Sequence, residues 1–298
     1  MIEIIRGAKG YQFIVVSIDN IDECLSYISD DSSMRSLYLS RKNYSEDLIE
    51  AITTHPDRIK IRYLHLMCHI ENIQLFESFE WLEKINFGEE NTEFNFSKMR
   101  NLKEIGGVWS KYWTNLENCS LLHTFGCSKF SKPIRSLPNL AKLKNIMLIQ
   151  PGFSSLDGLE IASCLVDLRL TMARKLEKID ALIHCAQTLT KLEIDGCKKI
   201  GSYDAIEKLV NLSYLIISNS SDLKSISFIE KMPKLVTLSI FETKLLDNDL
   251  SHCVSHPVLI DFRSGNKRTY IPTVPEVEAK LASKESKRSQ VGLVNPAL

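Results

Sequence analysis

The feature of this 298-residue chain that most constrains its fold is a short apolar pattern that recurs at a nearly fixed spacing. The pattern is apolar-x-x-apolar-x-apolar, as in LVDLRL, LTKLEI and LSYLII, which begin at Leu165, Leu189 and Leu212. Nine copies, three of them weaker, begin at positions 61, 82, 102, 122, 143, 165, 189, 212 and 235. Such a period indicates stacked structural units, because a unit of this size cannot bury its apolar face alone.

Each copy ends in an apolar-x-apolar alternation with a period of two, which is typical of a β-strand with one buried face. The residues between the strands carry apolar side chains of their own, such as Leu176, Ile179 and Leu182 after LVDLRL. These return segments must bring the chain back to start the next parallel strand, and they reach the same core from its other side. The sequence therefore predicts stacked parallel strands with short returns.

This pattern resembles the leucine-rich repeat family, whose units read LxxLxxLxLxxN, over about residues 58 to 262. The resemblance implies an α/β solenoid with a curved parallel sheet on its concave face and short helical or irregular returns on its convex face. The sequence departs from the family at the ninth position, where Asn or Cys usually bonds the turn backbone. That position holds His69, Glu90, Ser110, Phe130, Pro151, Ala173, Cys197, Ser220 and Thr243. Ser110 and the last three fit, so we expect irregular turns in the N-terminal repeats and a different bend near Pro151.

Three segments are expected along the chain. Residues 1–57 form an αβ cap and first repeat, in which YQFIVVS and MRSLYLS predict strands and IDECLSYIS and SEDLIEAITTHP predict helices, the second capped by Ser45. Residues 58–262 form the repeats. Residues 263–298 form a basic tail with a net charge of +4, against −4 for the rest. The last fifteen or so residues lack an apolar period and are expected to be disordered.

The charge balance argues against several classes of partner. There are 37 basic and 37 acidic side chains, so the chain lacks the positive field of a nucleic-acid or anionic-membrane binder. No stretch approaches the apolar length of a membrane span, and acids interrupt the apolar part of the first thirty residues, as a secretory signal would not. We expect a cytoplasmic protein with no nucleic-acid partner and no membrane partner.

Cysteine usage fits the same compartment. The eight cysteines include no CxxC pair, and most lie beside leucine or isoleucine. Such residues are typical of free, structural thiols in a reducing compartment.

Signatures of catalysis are missing from the sequence. It contains no GxxxxGK[ST], GxGxxG, GxSxG or HExxH motif. His252, Cys253 and His256 in SHCVSHP offer three donors within five residues but no distant fourth, so we interpret them as structural. We expect no catalytic residue, no metal, no cofactor and no small-molecule substrate.

The third, fifth and seventh positions of each repeat point away from the core and line the predicted concave face. We predict partner-binding residues there, namely Tyr63, His65, Met67, Val108, Met147, Ile149, Asp167, Arg169, Lys191, Glu193, Asp195, Tyr214, Ile216 and Phe241. Exposed strand positions are usually polar, so the apolar members of this set indicate a surface that docks a protein. The alternative is that they are scattered exposed apolar side chains, which need no explanation.

A second candidate surface is the segment GGVWSKYWTN, where Trp109 and Trp113 flank Tyr112. Both tryptophans are included among the predicted partner-binding residues, because aromatic side chains on a loop are favoured interface anchors. The alternative is that they fill a hole left by the missing apolar residue at Gly107.

These observations predict a non-enzymatic module that binds a protein partner on its concave face and ascending loops. A compact cytosolic repeat protein without an effector domain resembles bacterial immunity proteins, which bind and block a cognate toxin. The alternative is a scaffold or regulatory subunit that recruits an endogenous enzyme, and the same surface fits both roles.

Overall fold

The chain folds as two compact units, residues 1–130 and residues 131–298. A computed structural model describes residues 2–6, 12–30 and 35–290. The boundary between the units lies inside the predicted repeat region.

The first unit is built mainly from short strands, with two helices near its start. Its strands are β1 (Glu3–Arg6), β2 (Gln12–Val15), β3 (Ser36–Ser40), β4 (Tyr63–Met67), β5 (Lys84–Phe87), β6 (Phe94–Asn95), β7 (Glu104–Val108), β8 (Trp113–Thr114) and β9 (Thr124–Ser128). Its helices are α1 (Ile21–Asp30) and α2 (Glu46–Thr54). The Leu48 N–H donates to the Ser45 hydroxyl at 3.1 Å, which confirms the predicted N-cap of α2.

Strand order in the first unit follows the chain, as expected of a repeat. The main sheet runs β1-β2-β3-β4-β5-β7-β9, and β6 pairs with β8 in a separate two-stranded sheet. Every pairing is parallel except that of β1 with β2, which is antiparallel. Strand β1 and the β6–β8 pair were not predicted, since EIIR and the two-residue strands are too short to show a period.

The second unit continues the pattern with six strands in the order of the sequence, all parallel. They are β10 (Asn145–Ile149), β11 (Asp167–Thr171), β12 (Lys191–Asp195), β13 (Tyr214–Ser218), β14 (Thr237–Ser239) and β15 (Asp261–Arg263). The helices are α3 (Ser251–Ser255) and α4 (Val274–Gln290). Short 3-10 segments form most returns, at Ile134–Ser136, Leu140–Lys142, Leu159–Ile161, Asp180–Cys185, Asp204–Lys208 and Ser227–Lys231.

The core of each unit lies between its strands and its returns. In the repeat of β11, Leu168 and Leu170 point inward from the strand, and Leu176, Ile179 and Leu182 meet them from the return. All five are buried, and burying a side chain of this size contributes about 1.5–3 kcal/mol. Nine predicted strands begin at the expected residue, which confirms the fold class and the repeat register.

The residue that directly follows each of β10, β11, β12 and β13 adopts a left-handed backbone conformation. Met172 has φ 52° and Gly196 has φ 68°, and the equivalent residues Gln150 and Asn219 are also positive. Their N–H groups donate to a carbonyl of the next repeat, for example from Met172 to Asp195 at 2.7 Å. These hydrogen bonds therefore stabilise the turn. The left-handed conformation is nevertheless strained for a residue that has a side chain, such as Met172.

We expect Met172→Gly to stabilise the second unit by about 1 kcal/mol, because glycine adopts φ 52° without a Cβ clash. Urea unfolding followed by far-UV circular dichroism measures the change. Met172→Ala is the control, since it removes the same exposed side chain but keeps the strain. Equal stability of the two variants would contradict the prediction.

The ninth repeat positions confirm the family pattern in the last repeats. The Cys197 N–H donates to the Ser220 hydroxyl at 3.1 Å, and the Ser220 N–H donates to the Thr243 hydroxyl at 3.1 Å. Phe130 and Ala173 occupy the same position as fully buried apolar side chains. In the last repeats, the Ser220 and Thr243 hydroxyls therefore bond the turn backbone in place of the asparagine of the family pattern. In the repeats of Phe130 and Ala173, a buried apolar side chain occupies this position instead.

The tail is more ordered than the sequence indicated. Strand β15 and helix α4 belong to the second unit, and Val277 and Leu281 of α4 are buried. The Lys284 ammonium donates to the carbonyls of Val254 and His256 at 2.6 and 2.7 Å, at the carboxyl end of α3. Helix α4 extends to Gln290, so it includes the first residues of the segment that the sequence predicts to be disordered. Residues 291–298 lie outside the described residues.

All eight cysteines are free thiols, and seven of them are buried. Burial raises the pKa of Cys185 to about 11, so this thiol stays protonated and unreactive at neutral pH. Within the described ranges, no helix is long and apolar enough to cross a membrane.

Candidate partner-binding face

The candidate site is the outward face of the second unit, defined as the strand side chains that point away from its core. Because the strands pair in register, these side chains form rows that run across the sheet. One row is Asn145, Asp167, Lys191, Tyr214, Thr237 and Asp261, and the next is Met147, Arg169, Glu193, Ile216, Ser239 and Arg263. A third row is Ile149, Thr171, Asp195 and Ser218.

Large apolar side chains lie at both ends of this face. Met147 is 39% exposed and Ile149 is 43% exposed on β10. Phe241 is 50% exposed just beyond β14, where its carbonyl accepts from the Asn219 N–H at 2.9 Å. Ile216 is half-buried between these ends. The predicted apolar stripe of the second unit is therefore open to contact.

Charged side chains lie at the centre of the face, on β11 and β12, and on its terminal strand β15. The Arg169 guanidinium donates to both carboxylate oxygens of Asp167, at 3.0 and 2.8 Å, and Arg263 pairs with Asp261 in the same way. The Asp167 carboxylate raises the pKa of Arg169, so the guanidinium stays charged. Lys191 is exposed between the two pairs. The two fixed guanidiniums give the face rigid donors at defined positions.

Tyr214 shares this centre. Its hydroxyl has a raised pKa, chiefly because of burial and secondarily because of the neighbouring Glu193 carboxylate. It therefore stays a neutral hydrogen-bonding group at physiological pH. Asp195 and Glu193 are half-buried on β12.

The outward positions of the first unit are less open. Tyr63, Met67 and Val108 are half-buried. His65 is only 5% exposed, because the Phe13 ring packs on it at 4.2 Å between ring centroids. The structure therefore gives His65 a packing contact with Phe13 and leaves little of its surface exposed, and its contact with a partner stays a prediction.

The hydrogen bonding of His65 keeps its imidazole neutral. Its Nδ1 accepts from the Asn86 side-chain amide at 2.8 Å, which assigns the proton to Nε2. Among the described residues, Nε2 has no hydrogen-bond partner. Burial, with a smaller contribution from the Lys84 charge, lowers the pKa of His65 to about 4.

We expect acid to destabilise the first unit through His65. In the unfolded chain, His65 has its ordinary pKa of about 6.5 and binds a proton below that pH. In the folded unit, its pKa is about 4, so it stays unprotonated until the pH falls to about 4. This contribution is absent above pH 6.5, and it lowers the free energy of unfolding by about 2 kcal/mol at pH 5. Urea unfolding of wild type and His65→Gln at neutral pH and at about pH 5 measures it.

His65→Gln removes only this titration, so the wild type should lose more stability than the variant on acidification. His256 in the second unit also has a pKa lowered by burial and acts in the same direction in both proteins. Parallel pH profiles would show that His65 titrates normally.

Trp109 and Trp113 are core residues and not exposed anchors. Both are buried, their rings lie 5.3 Å apart, and they contact Phe87, Phe96, Phe125 and Phe130. Their burial fits the alternative packing role, in which the strand pair β6–β8 holds Trp113 against Phe94, and partner binding by the two tryptophans stays a prediction. The exposed aromatic side chain of this segment is Tyr112.

The histidines near α3 have structural roles. The Leu259 N–H donates to His256 Nδ1 at 3.0 Å, and His256 Nε2 donates to the Met232 carbonyl at 3.1 Å. His252 pairs with Glu230 at 2.6 Å. Across residues 2–6, 12–30 and 35–290, no group of three or more His, Cys, Asp or Glu side chains is arranged to hold a metal ion.

Met172 is an exposed residue that the repeat positions did not select. It is 44% exposed, and the Gln150 amide approaches its sulfur at 3.8 Å, next to Ile149. It lies one residue beyond the strand, where the alternation that selects outward positions has ended. Its position directly after a predicted strand was the available signal.

Several solved structures are similar to this chain. An internalin, InlF, from Listeria monocytogenes is 16% identical with a TM-score of 0.54, over 79% of this chain and 69% of that chain. The functional domain of InlJ from Listeria monocytogenes is 16% identical with a TM-score of 0.47, over 85% and 60%. The leucine-rich repeat domain of the type III effector XopL is 14% identical with a TM-score of 0.47, over 75% and 83%.

No protein-family model matches the sequence, and no curated protein matches it significantly. The parallel strands, the 20- to 24-residue spacing and the internalin likeness together define the chain as having the leucine-rich repeat fold. The resemblance in the sequence pattern is thereby confirmed at the level of the fold.

Proposed function

We propose that this protein is a non-catalytic module that binds a protein partner through the outward face of its second unit. The observation that carries the proposal is the exposure of Met147, Ile149 and Phe241 on either side of the fixed Asp167–Arg169 ion pair. Apolar side chains surrounded by polar groups are typical of protein interfaces. A sheet face built on a rigid repeat also binds without reorganising its backbone.

The finer proposal is that the partner is a toxin and that the protein is a bacterial immunity protein, which works by covering the toxin. Free, buried thiols suit the cytoplasm, where such a protein would act. A scaffold that recruits an endogenous enzyme would use the same face. Growth of cells that express the candidate toxin, with and without this protein, separates the two roles.

The test uses the triple variant Tyr214→Ala, Ile216→Glu and Phe241→Ala. It removes apolar area from the outward face and adds a charge at its centre, so we expect it to lose the partner that immobilised wild type captures from lysate of the source cells. The captured partner is then purified, and light scattering on a size-exclusion column measures its stoichiometry with wild type.

The matched control is the triple variant Ile161→Ala, Ile183→Glu and Leu246→Ala. These side chains are as exposed as those of the face, but they lie outside the strands. The proposal requires that the control keeps the partner and the outward-face variant loses it. A partner that both variants retain would show that the exposed apolar residues of the face are scattered single residues.

A further inference from the structure

Two consecutive loops of the second unit present four cations, Arg174, Lys175, Lys198 and Lys199, which we name the cation quartet. All four are exposed, and none forms an ion pair within the described part of the chain. Lys231, by contrast, pairs with Glu207 at 2.9 Å. Other exposed lysines of this unit, such as Lys144, Lys178 and Lys224, also form no ion pair among the described residues, so what distinguishes the quartet is that its four cations lie on two adjacent loops.

The loops stack in register, which brings the four charges together. The Met172 N–H donates to the Asp195 carbonyl at 2.7 Å before the quartet, and the Gly201 N–H donates to the Glu177 carbonyl at 3.0 Å after it. Both bonds join residues 23 or 24 positions apart. Arg174 therefore lies beside Lys198 and Lys175 beside Lys199, about 5 Å apart across the repeat.

Like charges at this spacing repel each other and destabilise the fold. The next loop carries an acid, Asp222, that could reduce this repulsion. Its carboxylate, however, already lies 3.8 Å from the ammonium of Lys244 in the following repeat. A bound anion would neutralise the repulsion, so the quartet favours a negatively charged partner.

An apolar patch adjoins the quartet. Met172 precedes Arg174 by two residues and is held in its strained turn beside Ile149, and both side chains are exposed. Cations beside exposed apolar side chains suit a protein surface better than a nucleic-acid backbone, which would leave Met172 and Ile149 uncovered. The zero net charge of the chain also opposes a nucleic-acid partner.

We propose that the cation quartet and the patch of Met147, Ile149 and Met172 bind an acidic segment of a partner protein that also presents an apolar side chain. This inference rests on the proposed function, because it gives the chemistry of the partner at one end of the outward face. The carboxylates pair with the quartet, and the apolar side chain packs on Met172 and Ile149.

The test selects binders to the full-length protein from a displayed library of random peptides, and fluorescence anisotropy measures the affinity of the enriched peptides. We expect enrichment of peptides with several Asp or Glu residues beside a Leu, Ile, Phe or Trp. Their affinity should fall by about tenfold or more when the salt concentration rises from about 50 to 300 mM. Enrichment of neutral or basic peptides, or no enrichment, would overturn the inference.

The diagnostic variant is Lys198→Glu combined with Lys199→Glu. It should weaken binding of the selected peptides by at least about tenfold, and it places acids beside Arg174 and Lys175. Because it exchanges repulsion for attraction, we expect the melting temperature to stay equal or rise, so a loss of binding is not a loss of folding. Lys144→Glu with Lys280→Glu makes the same charge change away from the quartet and should leave binding unchanged.

Two further probes identify the source of the anion. A short DNA duplex and phosphatidylserine vesicles should both bind more weakly than the peptides, and tighter quartet-dependent binding of either would overturn the inference. Failure of this inference is distinguishable from failure of the proposed function. If the Tyr214, Ile216 and Phe241 variant loses a cellular partner that the quartet variant keeps, the partner binds elsewhere on the outward face and the proposed function stands.

Discussion

Replacing Gly107 with alanine is expected to unfold the first unit. Gly107 lies on β7 with φ 106°, a conformation that a side chain rarely adopts, and it pairs with Phe87 of the neighbouring strand. A Cβ at this position would lie 1.9 Å from the Phe87 carbonyl oxygen and 2.5 Å from its nitrogen. Because backbone atoms cannot rotate away, we expect a loss of about 4 kcal/mol or more.

Tryptophan fluorescence is a specific probe for this prediction. The three tryptophans, Trp81, Trp109 and Trp113, all lie in the first unit, whereas circular dichroism reports on both units. Urea unfolding is followed by both methods. For Gly107→Ala, the midpoint urea concentration that tryptophan fluorescence reports should fall strongly.

Two other glycines serve as controls for Gly107. At Gly106 a Cβ would meet Asn86 Oδ1, the end of a side chain that can move, so a smaller loss is expected. At Gly265 there is nothing within 4 Å, so alanine should be tolerated. If the first unit of Gly107→Ala unfolds within about 1 kcal/mol of the first unit of wild type, the close approach of β5 and β7 is wrong.

Trp113→Ala should destabilise the first unit by about 3–5 kcal/mol, because it leaves a cavity in the aromatic core. Trp113 packs 4.9 Å from Phe87 and 5.3 Å from Trp109 between ring centroids. Urea unfolding, followed by the fluorescence of the remaining tryptophans, measures the loss.

Two variants separate packing from surface contact at this position. Trp113→Phe should cost much less, because it keeps most of the ring and the indole N–H has no hydrogen-bond partner among the described residues. Tyr112→Ala, at the exposed neighbour, should change stability by no more than about 0.5 kcal/mol. A stable Trp113→Ala variant with reduced partner affinity would restore the interpretation of Trp113 as an interface anchor.

The repeat register could be predicted from the sequence because it depends on local spacing. The alternation within LVDLRL places Leu168 and Leu170 inward and Asp167 and Arg169 outward, and the structure has β11 at Asp167–Thr171 with this pattern. The same reasoning located Met147, Ile149 and Ile216 on the outward face. The partner that this face binds stays a prediction, because its chemistry is not written in the repeat.

The burial of three predicted partner-binding residues, His65, Trp109 and Trp113, has one physical cause. His65 alternates outward, yet Phe13 of β2 covers it, and these two residues belong to strands that are separated by β3. Trp109 and Trp113 follow the strand β7, where the repeat pattern is weakest, and they fold back onto Phe87 and Phe130. In each case a side chain from another repeat decides the exposure, and periodicity within one repeat carries no information about it.

The sequence by itself determined the parallel repeat, the starts of the nine repeat strands and the face on which their residues lie, since these follow from a period of two within a period of 20 to 24 residues. Only the tertiary structure decided which outward residues are open, that helix α4 docks through Val277 and Leu281, and that Arg174 lies beside Lys198. Those features depend on contacts between segments distant in the chain, and such contacts form only when the repeats are stacked.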